Sequence, residues 1–386
     1  QKTENDVNAN ITTHLRSTLN GLATIRAMKG GEKVFENYAI HQNESNAAWF
    51  TSLTYFRGFC FWTDFISAMF IGLIVFSFLI FEDSTNQDRG IALSQVISLI
   101  GVVVWGVMMG AENEKQMSSV ERIVEFSRLK KEGGEEKEEN STNLTDSSIE
   151  FRDFSLKYPG SDEIALKNIN FSIKSGEKIG IVGRTGSGKT SLMLSIFRMV
   201  EAHKGSVLIG GVETSKIKLE NLRKTLTVIP QDVFLFSGTL RSNLDPLSEH
   251  SDETLWGAIE DVKLNKFIES LPEKLESRVS DGGSNLSIGQ RQLISLARAL
   301  LRKTKIVILD EVTSNVDDLT DNLIQSTIKT KFSDCTVLTI AHRLQTIIQS
   351  DRVLVMDDGK VVEFESPNTL IEKEKGFFKV LVMQSG

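Results

Sequence analysis

Ile179-Gly-Ile-Val-Gly183-Arg184-Thr185-Gly186-Ser187-Gly188-Lys189-Thr190-Ser191 is the stretch on which the reading of the whole chain turns. A short apolar run, expected as a strand, leads into the pattern G-x-x-x-x-G-K-[ST]. A helical run from Ser191 to Met199 follows. Strand, glycine-rich loop and helix in that order are what a phosphate-binding loop requires. The glycines let backbone N–H groups turn toward phosphate oxygens, and the helix dipole adds positive potential there. Lys189 is expected to reach the β- and γ-phosphates of a nucleotide, and Thr190 to ligate Mg2+.

Ile306-Val-Ile-Leu-Asp310-Glu311 lies about 120 residues further on. Its four apolar residues predict a buried strand that delivers two carboxylates at its end, beside the phosphate loop. Asp310 would hold Mg2+ through its water shell. Glu311 would orient and polarise an attacking water. ATP and Mg2+ are the ligands this pair of motifs calls for. Further β-rich runs at Lys178–Val182, Thr225–Ile229, Thr336–Ile340 and Arg352–Met356 alternate with helical stretches. From Ser148 onward the pattern predicts a mostly parallel sheet flanked by helices.

Working toward the N-terminus, residues 129–147 are rich in Gly, Glu, Lys, Asn and Ser and lack apolar periodicity. They read as a solvated, disordered acidic linker. Its two sequons, at Asn140 and Asn143, read as accidents of a cytoplasmic segment. Before it come two apolar runs. Phe59 to Phe81 carries Asp64 as its only charge, and Ile91 to Met109 carries none. Each is long enough to cross a hydrocarbon core of about 30 Å as a helix. Nine polar residues, Glu82 to Gly90, join them, so a membrane hairpin is expected. Arg26, Lys29 and Lys33 precede the first run, and Lys115, Arg122, Arg128, Lys130 and Lys131 follow the second. The joining loop holds only Arg89. The positive-inside rule therefore puts both flanks, and everything after the second span, in the cytoplasm. Residues 112–128 read as a helical extension of the second span. Residues 1–56 read as helical, with Ile11, Leu15, Leu19, Leu22 and Ile25 on one face.

Composition adds exclusions. The 386 residues exceed one ordinary domain, and the net charge of -7 argues against nucleic acid as a partner. Cys60 and Cys335 are too few and too far apart for a disulfide framework or a metal cluster. The chain starts at Gln1 and reads as part of something longer.

Several further motifs occur in one family order. Leu286-Ser287-Ile288-Gly289-Gln290, followed by Arg291-Gln292, resembles the signature motif of ABC transporters. Gln231 resembles their Q-loop residue, His342 their switch histidine, and Tyr158 the aromatic residue that stacks on adenine. Ser314-Asn-Val-Asp317 resembles their D-loop. The chain is most similar to subfamily C, the multidrug-resistance-associated proteins (MRPs), in the second half of a short member. Gly180–Thr190, Val337–Arg343 and Ser119-Val-Glu-Arg122 carry that likeness.

The resemblance implies an α/β ABC-type P-loop nucleotide-binding domain over 148–386. Its expected parts are a RecA-like core, an antiparallel β subdomain and a helical signature subdomain. Residues 1–128 would be the preceding all-α transmembrane part, with spans at about 59–81 and 91–109. It implies catalytic roles for Glu311, His342 and Gln231, with Gln231 also on Mg2+. Residues 183–191 with Tyr158 and Asp310 would hold ATP, and 286–290 would serve a second ATP across a domain interface. The region around 4–16 resembles a coupling segment. The implied partners are membrane lipid, a small-molecule cargo and the missing N-terminal half with its own nucleotide-binding domain. In subfamily C the two ATP sites are unequal. Glu311 and the departure at Ile288 match the domain whose own site hydrolyses. ATP-driven export of organic anions, conjugates or drugs follows, at a membrane expected to be the plasma membrane. An ATP-gated channel or channel regulator of the same subfamily is the alternative.

One departure concerns the cargo. MRP spans here commonly carry arginines for anionic substrates. Arg57, Asp64 and Trp105 match family positions, but Trp62 and Met108 stand where arginines are expected. A less charged or more aromatic cargo is the resulting expectation.

Overall fold

The computed structural model describes residues 2–80, 86–129, 132, 146–312, 316–340, 347–373 and 376–385. The chain divides into two compact units, Gln1–Lys130 and Lys131–Gly386.

The first unit is helical: α1 (Lys2–Asn20), α2 (Leu22–Ala27), α3 (Gly31–Ile80) and α4 (Asn86–Ser127). α3 packs against both α1 and α4. Ser45 of α3 donates to Asn8 Oδ1 of α1 at 2.7 Å, and the His14 and His41 rings lie 5.5 Å apart. The composition changes sharply at Phe59, yet α3 runs through that boundary unbroken. A helix satisfies its backbone hydrogen bonds internally, so moving from polar to apolar surroundings requires no break. Gly31–Phe78 and Arg89–Ser127 are helices long and apolar enough to cross a membrane. Phe61, Trp62, Phe65 and Trp105 on them are exposed. Residues 81–85, which include the end of the expected first span, lie outside the described residues.

The second unit is built on a six-stranded sheet of order β12-β11-β3-β10-β9-β6. Its strands are β3 (Lys178–Gly183), β6 (Leu226–Ile229), β9 (Ile306–Asp310), β10 (Thr336–Ile340), β11 (Arg352–Asp357) and β12 (Lys360–Glu365). All neighbours run parallel except β11 and β12. β3, β9 and β10 are apolar along nearly their whole length because helices cover both faces of a parallel sheet. The phosphate-loop helix α5 (Lys189–Ile196) opens two residues earlier than the sequence suggests. A second, antiparallel sheet has the order β2-β1-β4-β5. It comprises β1 (Ile149–Lys157), β2 (Ile164–Ile173), β4 (Lys204–Ile209) and β5 (Val212–Glu213). Its inward Phe151, Phe154, Leu166 and Ile169 share one core with Leu192 and Ile196 of α5.

A two-stranded pair, β7 (Gly238–Thr239) and β8 (Arg278–Val279), and five helices accompany β6 to β9: α6 (Leu219–Lys224), α7 (Leu240–Leu244), α8 (Asp252–Asp261), α9 (Asn265–Glu269) and α10 (Ile288–Arg302). α10 is strongly amphipathic and buries Leu293, Ile294, Leu296, Ala297 and Leu301 against α8 and β6. Side-chain caps fix the starts of several helices. Thr239 and Ser242 form a capping box on α7, and Ser251 accepts the Thr254 N–H on α8. Domain contacts reach back to Ser147, which is buried. Its Oγ lies 2.6 Å from Ser175 Oγ, and its carbonyl accepts the Thr336 hydroxyl at 2.9 Å. The sequons at Asn140 and Asn143 fall outside the described residues.

Candidate functional site

The C-terminal ends of β3 and β9 lie on the same side of the parallel sheet, with β10 between them. Ligands of open α/β sheets bind outside such strand ends. A pocket of about 980 Å³ opens there. Tyr158, Lys189, Thr190, Ser191, Gln231 and Glu311 line it, together with Thr185, Gly186 and Gly188 of the loop.

The loop is tightly built. Lys189 is 8% exposed, and its Nζ donates to the Gly183 carbonyl at 2.8 Å and the Arg184 carbonyl at 3.0 Å. Burial pushes its ammonium below the usual lysine range, while Glu311 and Asp310 pull it back up. Gly188, the N-cap of α5, has φ 102, a conformation that disfavours any side chain. A Cβ there would also meet Leu166 at 2.8 Å. Ser187 is buried, and its Oγ has no hydrogen-bond partner among the described residues. An orphaned hydroxyl inside a glycine-rich loop is suited to a ligand oxygen.

On the opposite wall, Glu311 follows β9 in the left-handed region, φ 45, and its N–H donates to the Ile340 carbonyl at 2.9 Å. Gln231 Nε2 donates to Glu311 Oε2 at 2.7 Å. Tyr158 follows β1, with its hydroxyl 2.9 Å from Ser191 Oγ. The aromatic wall is thus tied directly to the phosphate-loop helix. Polyphosphate bound beside Asp310 and Glu311 would stack negative charge on negative charge. A hard cation would relieve this, and the Thr190 hydroxyl, Asp310 carboxylate and Gln231 amide are oxygen donors of the kind Mg2+ prefers. Among the described residues no cluster of three or more His, Cys, Asp or Glu could hold a metal alone. Mg2+ bound jointly by substrate phosphates and a few protein oxygens needs no such cluster.

The family model described as "ABC transporter" matches residues 166–314. The probable multidrug resistance-associated protein lethal(2)03659 of Drosophila melanogaster is 45% identical over 97% of this chain and 28% of its own length. ATP-binding cassette sub-family C member 4 of Homo sapiens is 43% identical over 100% of this chain and 29% of its own length. The chain belongs to the ABC transporter family, MRP type. It spans under a third of the length of these relatives. A bacterial Atm1-family ABC exporter solved with ATP bound shares the fold at a TM-score of 0.88. That likeness covers 100% of this chain and 68% of the exporter chain at 22% identity. The second unit accordingly carries the ABC transporter domain, in the fold of an ABC exporter.

The segment that resembles the ABC signature begins α10. Ser287 is the N-cap: its Oγ accepts the Gln290 N–H at 3.1 Å, and its own N–H donates to Gln290 Oε1 at 2.9 Å. This capping box uses the serine oxygen as acceptor and leaves its O–H free to donate. Leu286 is buried and Ile288 is 47% exposed. Asp317 caps α11 (Asp318–Lys331), accepting the Thr320 N–H at 3.0 Å and hydroxyl at 2.8 Å. These bonds hold its carboxyl below the usual range. Neither 286–290 nor Asp317 is among the residues lining the pocket; nor is Asp310, which ends β9 next to Glu311. Arg57, Trp62 and Asp64 lie on α3 and Trp105 on α4, in the other unit. His342 and Ser314 lie outside the described residues.

The sequence reading missed the pocket rim. Lys167 Nζ donates to Asp358 Oδ2 at 2.8 Å, and the Lys167 N–H donates to the Gly359 carbonyl at 2.8 Å. A pair 191 positions apart leaves no local pattern to read.

Proposed function

We propose that this chain supplies two membrane spans and the hydrolysing nucleotide site of an MRP-type exporter. In this reading ATP hydrolysis drives export of organic anions, conjugates or drugs. The observation that carries it is the placement of Glu311. Its carboxylate is held by Gln231 across the pocket from the phosphate-loop lysine, on a backbone strained into the left-handed region. Strain of this kind collects at functional positions.

In this mechanism the loop N–H groups and Lys189 bind the phosphates, and the adenine ring stacks on Tyr158. Thr190, Asp310 and Gln231 would hold Mg2+, which when bound would supply countercharge to the phosphates. Glu311 accepts hydrogen-bonding from the attacking water and draws off its proton. Gln231 keeps that carboxylate aimed, and His342 serves the γ-phosphate side. Ser287 and the N-terminus of α10 act on a second ATP held by a partner domain. That partner is the nucleotide-binding domain of an N-terminal half outside these 386 residues. α3 and α4 cross the membrane, expected to be the plasma membrane, with the ATPase domain cytoplasmic. At 1.5 Å per residue α3 is about 75 Å long, more than twice the hydrocarbon thickness, so it also extends well beyond the bilayer.

Tyr158→Ala should weaken ATP binding by about 1–3 kcal/mol, the worth of one base stacked on one aromatic ring. Tyr158→Phe keeps the ring and loses only the bond to Ser191, so its cost should be about 1 kcal/mol. Tripolyphosphate, which has no base, should bind all three proteins alike. Equal weakening of tripolyphosphate would place Tyr158 on the phosphates.

Export is tested with inside-out vesicles. The reading expects ATP-dependent uptake of a glutathione conjugate; sustained ATP-dependent current without uptake would establish the channel alternative. In the same assay Trp62→Arg with Met108→Arg should raise uptake of the anionic conjugate. No gain would sink the idea that these two positions set cargo charge.

A further inference from the structure

We propose that Gln292 is a positioning residue for hydrolysis, tying the signature helix to the Glu311 carboxylate through the backbone of Gln231. The inference rests on the reading of Glu311 given above. Gln292 lies two residues past the signature on α10 and is 3% exposed. Its Nε2 donates to the Gln231 carbonyl at 2.7 Å. Gln231 Nε2 in turn donates to Glu311 Oε2 at 2.7 Å. Two hydrogen bonds and one residue thus join α10 to the carboxylate.

Packing does not account for this amide. Gln292 Oε1 is buried and has no hydrogen-bond partner among the described residues. An orphaned acceptor costs stability that an apolar side chain of the same length would avoid. Gln231 itself is exposed. Further along, the buried Val233 and Leu235 and a bond from Arg298 Nη1 to the Phe234 carbonyl at 3.2 Å hold the segment against α10, and Gln292 ties the Gln231 carbonyl itself to that helix. The 15-residue helix is stiff, and its first turn carries Gly289 and the Ser287 cap. A displacement of that turn on meeting a phosphate moves Gln292, and the Gln231 carbonyl follows. At the far end the Glu311 carboxylate shifts, and about 1 Å of misplacement at a reacting group costs up to about 100-fold in rate. One domain thereby senses at its own carboxylate whether its signature is engaged.

Gln292→Met keeps the length and burial and removes the donor. In the complete transporter its kcat for ATP hydrolysis should fall about 10-fold, with KM for ATP within about twofold of wild type. In a Glu311→Gln background the same substitution should change the residual single-turnover rate by less than about twofold, because the group it positions is gone. Fluorescent-nucleotide binding monitors the fold independently of turnover. Full turnover in Gln292→Met overturns the inference. So does a fresh 10-fold loss on top of Glu311→Gln, or a loss of binding that matches the loss of rate. Wild-type turnover in Glu311→Gln alone is a distinct outcome: it marks failure of the site reading, and the inference falls with it.

Discussion

Glu311→Gln should abolish steady ATP turnover while leaving ATP binding intact. Gln matches Glu in shape, and its amide oxygen can still accept the Gln231 N–H that now reaches Oε2 at 2.7 Å. The backbone at Glu311 is held by the bond to the Ile340 carbonyl, which the substitution does not touch. What disappears is the ability to take a proton from water. Removing a positioned base costs about 100-fold to 10,000-fold in rate. Phosphate release by the complete transporter should therefore fall at least about 100-fold, with the ATP dissociation constant within about threefold of wild type. Loss of binding together with turnover would mean that Glu311 shapes the pocket instead of acting on water.

Gly183→Ala should strongly damage folding. A Cβ at this position would stand 2.3 Å from the Met356 carbonyl oxygen and 2.5 Å from Ser187 Oγ. Met356 is opposite Gly183 in the parallel ladder of β3 with β11, and it is fully enclosed. A backbone carbonyl in the middle of a buried sheet cannot withdraw as a flexible side chain could. Overpacking of this kind costs about 3 kcal/mol. The Gly183 carbonyl also accepts from Lys189 Nζ, so the same shift would spoil the phosphate site. Gly186 is the internal control, because a Cβ there meets nothing within 4 Å and only its φ of 83 is unfavourable. Gly186→Ala should cost about 1–2 kcal/mol. Thermal unfolding of both variants checks the order. A Gly183→Ala midpoint at or above that of Gly186→Ala would refute the steric argument.

The parts legible in the sequence were those with short-range grammar. The phosphate loop needs strand, glycines and helix within about a dozen positions, and β9 announces itself by four apolar residues before Asp310. The parallel core strands were read at nearly their observed ends because burial on both faces leaves a continuous apolar run. The antiparallel strands β1 and β2 were not read from their residues. Register shifts at Phe151/Phe154 and Phe154/Leu156 break the alternation that would have marked β1. The span boundary at Phe59 followed the change in composition, while α3 continues across it. Composition reports the surrounding solvent; helix continuity is set by backbone hydrogen bonds. Side-chain ties were invisible: Tyr158 to Ser191 spans 33 positions, and Gln292 to Gln231 spans 61. Roles carried by family likeness, such as those of Ser287 and Gln290, also had a local explanation that the likeness did not suggest. The two residues form a capping box that would start α10 in any helical protein.

The most direct test of the account is a structure of the complete transporter carrying Glu311→Gln, with ATP and Mg2+ bound. The account predicts γ-phosphate density within the loop Gly183–Thr190, adenine against Tyr158, and Mg2+ at about 2.0–2.1 Å from the Thr190 hydroxyl. The side chain at position 311 should lie one water away from the γ-phosphate. Nucleotide density elsewhere, or position 311 turned away from the γ-phosphate, would contradict it.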